Sequence, residues 1–127
     1  MTMVIPARTL SAEEFLLKAD KGGIILDVRS PAEFLDGHIT GAISWPLFSN
    51  DERAQIGLLF KRRSREDAVD LGLEIIGPRM KELAQYGRKL YESQTSSDGS
   101  AVRNSLFIYC WRGGMRSESI AWLLRTA

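Results

Sequence analysis

The chain has 127 residues, 44% hydrophobic and 26% charged, the make-up of one soluble globular domain rather than a disordered tail, a collagen-like fibre or a coiled coil. Its 17 basic and 16 acidic residues leave a net charge of +1, so no global field draws it to nucleic acid or anionic lipid, and any such binding rests on a local patch. One Cys and one His exclude a disulfide framework and every zinc site built from Cys and His clusters.

Met1 to Arg8 lacks the basic and apolar regions of a signal peptide, and no apolar run approaches the ~20 residues of a membrane span. A lone thiol suits a reducing compartment, so the expectation is a cytoplasmic protein with no membrane partner. Ser11-Ala-Glu-Glu14 reads as a capping box opening a short helix, with Phe15 and Leu16 inward and Gly22-Gly23 at its end. Ile24 to Val28 is an apolar, β-branched run of strand length, of the kind buried on both faces of a parallel sheet. Ser30-Pro31-Ala32-Glu33 starts a second helix, with Ser at the N-cap, Pro at the first position and Glu at the third, and Gly37 stops it. Ala42 to Trp45 reads as a second short strand closed by Pro46.

Asn50 to Arg63 reads as helix, with Ile56, Leu59 and Phe60 at helical spacing. Ser64 caps a further helix carrying Ala68, Leu71 and Ile75, although Gly72 weakens it. Pro78 begins the longest helix, with Met80, Leu83, Ala84, Leu90 and Tyr91 on one face. Ser93 to Asn104 is polar and reads as an exposed loop. Leu106 to Tyr109 is another buried strand with Cys110 at its carboxyl end, and Ser117 to Arg125 forms a closing helix. Strands alternating with helices predict an α/β domain with a mostly parallel central sheet flanked by helices. No internal repeat, P-loop or GxGxxG pattern is present, and neither a cofactor nor a metal is expected.

Ligands of open α/β sheets bind beyond the carboxyl ends of the strands, where Cys110 falls. The residues after it are Trp111, Arg112, Gly113, Gly114, Met115, Arg116 and Ser117. The glycines let successive N–H groups converge, the next helix contributes its positive end, and Arg112 and Arg116 add two permanent charges. Such a cradle stabilises an anion above Cys110, and the first anion is the thiolate itself.

The Cys110 loop stands together with Asp27-Val28-Arg29-Ser30-Pro31-Ala32-Glu33-Phe34 and Gly37-His38-Ile39-Thr40-Gly41-Ala42. In this the chain resembles the rhodanese superfamily, whose Cys carries a persulfide cradled by loop amides. Pro46-Leu47-Phe48, Asp51-Glu52-Arg53, Ile56-Gly57, Phe60-Lys61, Ala68 and Leu71-Gly72-Leu73-Glu74-Ile75 extend the likeness to one branch. They resemble the rhodanese domain of the bacterial tRNA 2-selenouridine synthases, and the match covers nearly the whole chain. The resemblance implies a sulfur or selenium transferase in which Cys110 carries the chalcogen and the Trp111–Arg116 loop cradles it. Asp27, Arg29 and Ser117 would support that loop.

The implied partners are a selenium or sulfur donor (selenophosphate, or a thiosulfate-like compound) and, in the full enzyme, tRNA. There 2-thiouridine becomes 2-selenouridine through a geranylated intermediate. The chain ends at Ala127, whereas the family pattern continues with another core strand and helix and then a P-loop domain. Residues 1–127 are therefore expected to be one rhodanese-like domain, truncated at its C-terminus relative to the family, with open strand edges that favour self-association.

Five residues separate Cys110 from Arg116, the spacing of Cys-x5-Arg phosphatases and some arsenate reductases. That reading stays open, although Tyr109 stands where those enzymes usually place His. A non-catalytic interaction module with the same fold is the third alternative. Lys61, Arg62, Arg63 and Arg65 form the only dense basic cluster: either a solvated helix end or a contact to tRNA phosphates. His38 belongs to a structural turn common in rhodaneses rather than to the chemistry. Glu33 reads as a helix cap, Glu52 and Arg53 as helix surface, Trp45 and Trp122 as core, and Trp111 as a loop residue.

Overall fold

Burial is concentrated in five consecutive residues, Leu26 to Ser30, and the rest of the fold is arranged around them. The computed structural model describes residues 10–93, 106–110 and 116. Leu26 and Asp27 close the central strand β1 (Ile24–Asp27), which pairs in parallel with β2 (Ile43–Ser44) on one side and β3 (Leu106–Tyr109) on the other. The register sets Asp27 beside Ser44 and beside Tyr109. Pairing continues past the strand ends, with the Val28 N–H donating to the Tyr109 carbonyl and the Trp45 N–H to the Asp27 carbonyl. All three strands thus finish at one edge, with Cys110 immediately beyond it. This is the parallel α/β sheet that the alternating pattern predicts.

The first four helices each begin where a serine can satisfy unpaired amides, whereas the last follows directly on a 3-10 turn with no side-chain cap. Ser11 accepts from the Glu14 N–H at the start of α1 (Ala12–Asp20), and Ser64 accepts from the Asp67 N–H at the start of α4 (Arg65–Ile76). Ser30 with Glu33 opens α2 (Pro31–Asp36), and Ser49 with Glu52 opens α3 (Asn50–Arg62), both as capping boxes. Gly37 ends α2 at φ +154°, a conformation that side-chain-bearing residues rarely adopt.

Three expectations shift by a turn or a face. Leu16 is exposed, because α1 turns only its Phe15 line inward, where Phe15 meets Phe107 and Tyr109 edge-on. Phe60 is also exposed, since the covered face of α3 runs through Ile56 and stops at Leu59. Pro78 lies in a 3-10 turn, Gly77–Arg79, so the final helix α5 (Met80–Glu92) starts at Met80 and is no longer than α3.

The core is Val28, Leu47 and Phe48, against which Trp45, Ile56, Ile75, Ile76, Leu83 and Ile108 pack. Of the expected elements, the loop after Ser93, the segment Trp111 to Met115 and the closing helix from Ser117, with Trp122, lie outside the described residues. No helix among the described residues is long and apolar enough to cross a membrane.

Gly72 does not interrupt α4. A Cβ there would meet only Phe48 Cζ at 3.5 Å and Ile56 Cδ1 at 4.0 Å, which is ordinary contact distance. Replacing Gly72 with Ala should therefore raise the unfolding free energy by about 0.5–1 kcal/mol, mainly by restricting the unfolded chain. A urea titration checks it, and a lower midpoint in the variant contradicts it.

Candidate active site at the carboxyl edge of the sheet

Asp27 is fully buried at the end of the central strand, and three groups answer its charge. The Arg29 N–H donates to Asp27 Oδ1 at 2.9 Å. The Arg29 side chain folds back so that Nε donates to Oδ1 at 3.0 Å and Nη2 to Oδ2 at 2.8 Å. The Tyr109 hydroxyl donates to Oδ2 at 2.7 Å. Burial pushes the Asp27 carboxyl up, but these hydrogen bonds outweigh it and hold the group below its usual range. Burial also raises the Tyr109 phenol, which therefore stays protonated as a donor.

The same network fixes the wall of a cleft. Arg29 Nη2 donates to the Gly37 carbonyl at 2.6 Å, and the Ile39 N–H donates to the Tyr109 oxygen at 3.1 Å. The Arg29 guanidinium lies 5.5 Å from the Tyr109 ring centroid, within cation–π range. Arg29, Gly37, His38, Ile39, Tyr109 and Cys110 line an open cleft of about 390 Å³, so the only thiol of the chain looks onto this edge. A larger surface hollow of about 480 Å³ runs along Arg65, Glu66, Val69 and Asp70 of α4 and contains no nucleophile.

Arg116 reaches the same end of the sheet, onto Glu33. Its Nη1 donates to Oε1 at 2.8 Å and its Nη2 to Oε2 at 3.4 Å. Glu33 Oε1 also accepts the Ser30 N–H and hydroxyl, and Arg53 Nε from α3 comes within 3.6 Å of it. Partial burial raises the Glu33 carboxyl, yet Arg116 and Ser30 overcome that and hold it at about 2. The Glu33 cap is thus real but carries a second duty that its position in the sequence does not announce. Asp27, Arg29, Cys110 and Arg116 come to one edge as expected, while Arg112, Gly113, Gly114 and their neighbours in 111–115, with Ser117, lie outside the described residues.

His38 stacks on Phe34 with centroids 3.6 Å apart and shares a 2.8 Å hydrogen bond from Nδ1 with the Phe34 carbonyl. A carbonyl only accepts, so Nδ1 carries the proton and the ring is held as part of the turn. Lys61, Arg62, Arg63 and Arg65 are exposed where α3 passes into α4. Arg53 and Arg62 are nine residues apart on one helix, which puts the cluster about 14 Å along α3 from the Glu33 contact. Glu52 caps α3 and also holds Arg79 at 2.8 Å. Among the described residues, no group of three or more Cys, His, Asp and Glu is placed to hold a metal ion.

The rhodanese-like domain model matches residues 11–127. The chain belongs to the rhodanese family. Among curated relatives, it is similar to the tRNA 2-selenouridine synthase of Bdellovibrio bacteriovorus, with 40% identity over 78% of this chain and 24% of the relative. The enzyme of the same name from Hahella chejuensis is 35% identical over 84% of this chain and 26% of the relative. This rhodanese domain therefore spans about a quarter of the length of the curated relatives it matches. Among solved structures, an N-terminal domain from Clostridium difficile 630 superposes with a TM-score of 0.76 at 32% identity, covering 94% of this chain and 84% of that one.

The depressed carboxyls give the domain a defined acid limit. A carboxyl whose folded pKa lies below its unfolded value contributes stability above the unfolded pKa, and that contribution is lost as pH falls through the folded one. For Glu33 the window runs from about 4.5 down to about 2. Stability should be level above about pH 5 and fall through that window, with a smaller fall in Glu33→Gln. Urea denaturation at several pH values tests this, and an identical fall in both proteins contradicts it.

Proposed function

We propose that this rhodanese domain is a sulfur and selenium carrier in which Cys110 is the nucleophile. The observation that carries the reading is the place of Cys110: at the carboxyl end of β3, on an open cleft whose wall is fixed by the buried Asp27–Arg29 pair. With thiosulfate, the Cys110 thiolate attacks the outer sulfur. The S–S bond of the donor breaks, sulfite leaves with the electron pair, and a persulfide remains on Cys110. A nucleophilic acceptor then attacks the terminal sulfur, and the pair returns to Cys110 as thiolate. Dividing the transfer into two displacements keeps each one accessible. The amides of Trp111 to Arg116 and the Arg112 and Arg116 guanidiniums would hold the terminal atom, with Asp27, Arg29 and Ser117 bracing them.

The relatives named as tRNA 2-selenouridine synthases support placing this chemistry in the conversion of 2-thiouridine to 2-selenouridine in tRNA. Selenophosphate is then the expected source of selenium, and the remainder of a protein of the relatives' length would supply the other steps. One rival reading stays open, an oxyanion-processing phosphatase or arsenate reductase, whose Cys-x5-Arg spacing this loop also has. Incubation with thiosulfate should add one sulfur to the intact mass of the wild-type chain and none to Cys110→Ser, with hardly any hydrolysis of aryl phosphates. Phosphatase turnover that vanishes in Cys110→Ser would favour the rival.

Contact with tRNA is proposed for Lys61, Arg62, Arg63 and Arg65. They are exposed, and with a net charge near zero they are the local patch on which binding can rest. Each phosphate contact contributes a salt slope of about −0.7 to −0.9, so four residues give weak binding with a shallow salt dependence. Reversing Arg62 and Arg63 to Glu should weaken tRNA binding, read by anisotropy at two salt concentrations, without changing sulfur loading on Cys110. Equal affinity in the reversed protein identifies the cluster as a solvated helix end.

A further inference from the structure

Arg116 is the second fixed charge at the Cys110 edge, and its guanidinium is not left to find its own orientation. Both terminal nitrogens point at Glu33, at 2.8 and 3.4 Å. A guanidinium has five N–H groups in one plane; Glu33 takes one from each terminal nitrogen and leaves three aimed away from itself. Glu33 is fixed in turn. Its Oε1 accepts the Ser30 N–H at 3.1 Å and the Ser30 hydroxyl at 3.0 Å, and both groups lie at the junction of β1 and α2. Arg53 of α3 stands 3.6 Å away on the same oxygen. The arginine beyond Cys110 is thereby tied to the most buried segment of the fold.

We infer that Glu33 is a positioning residue for sulfur transfer, orienting Arg116 so that its three remaining N–H groups receive the anionic donor at Cys110. The inference rests on the sulfur-carrier reading of that thiol. It has a consequence that simple electrostatics does not share. Thiosulfate is a dianion, so removing a negative charge nearby should speed its approach if charge alone matters. If orientation matters, neutralising Glu33 slows loading even though the local field improves. The two accounts predict opposite signs. The Glu33 carboxyl, held at about 2, stays ionised throughout the assay range, so the effect should not vary with pH there.

The test is the second-order rate of sulfur loading on Cys110 by thiosulfate, followed by intact mass on the full chain. Glu33→Gln keeps an oxygen for the Ser30 cap and loses the charge together with the second acceptor oxygen that faces Arg116. It should load about tenfold more slowly, the scale of one charge-assisted hydrogen bond, and by the same factor from about pH 5 to about pH 9. Arg116→Ala should also be slow, and the Glu33→Gln/Arg116→Ala double variant no slower than Arg116→Ala alone, because Glu33 acts only through that arginine. Loading by Glu33→Gln at or above the wild-type rate overturns the inference, as does a double variant whose losses multiply. Should Glu33→Gln fail to fold by circular dichroism, Arg116→Lys decides, since it keeps the charge and loses the paired geometry. Slowed loading in Arg116→Lys supports the inference, and unchanged loading overturns it. Absence of loading in wild type overturns the carrier reading and the inference together, whereas loading that Glu33→Gln matches overturns the inference alone.

Discussion

A carboxylate with no exposure, at the end of the central strand, has to be answered where it stands. Removing an ion from water costs several kcal/mol unless partners surround it, and a half-answered charge is worse than none. Asp27 draws in the Arg29 amide and guanidinium and the Tyr109 hydroxyl. Those partners bring their own neighbours: Arg29 reaches the Gly37 carbonyl, and Tyr109 accepts from Ile39. The end of α2, the turn that follows it and the strand preceding Cys110 are thus all drawn to one point by one buried charge. The shape of the cleft follows from it.

Around that point the helices are set by local rules. Serine caps fix where α1, α2, α3 and α4 begin, and two of them use the glutamate three positions into the helix to complete the box. Both of those glutamates are also tertiary anchors, Glu33 for Arg116 and Glu52 for Arg79. A carboxylate already held by backbone amides gives up little further freedom when an arginine arrives, so a helix cap is an economical place for a long-range ion pair.

The strands and capped helices were legible in the sequence because their signals are local: β-branched runs, Ser-x-x-Glu spacing, glycines after the last helical turn. The position of Cys110 was legible because a thiol at a strand end, followed by two glycines and two arginines, leaves few other uses. Burial was read less well. Leu16 and Phe60 fit the helical period yet face solvent, since periodicity tells which face can be covered and not how far the neighbouring elements extend. The second duty of Glu33 and the phenol of Tyr109 on Asp27 were not legible. Each joins residues more than eighty positions apart, and no short-range pattern encodes such a meeting.

Tyr109 has a further effect, on how the sheet is assembled. Side chains alternate faces along a strand, so a slip of one residue between β1 and β3 would turn the whole of β3 over. Its pairing has to be found late in the sequence, across all the residues that separate Asp27 from Tyr109, and Leu106-Phe107-Ile108 is too uniformly apolar to distinguish one alignment from the next. The hydroxyl supplies the distinction. Only in the observed alignment does it meet Asp27, and a slip of one residue would set Ile108 or Cys110 beside the buried carboxylate instead, neither of which offers it a hydroxyl. The tyrosine is a registration mark for the strand, and Cys110, as the next residue, inherits its facing from that mark.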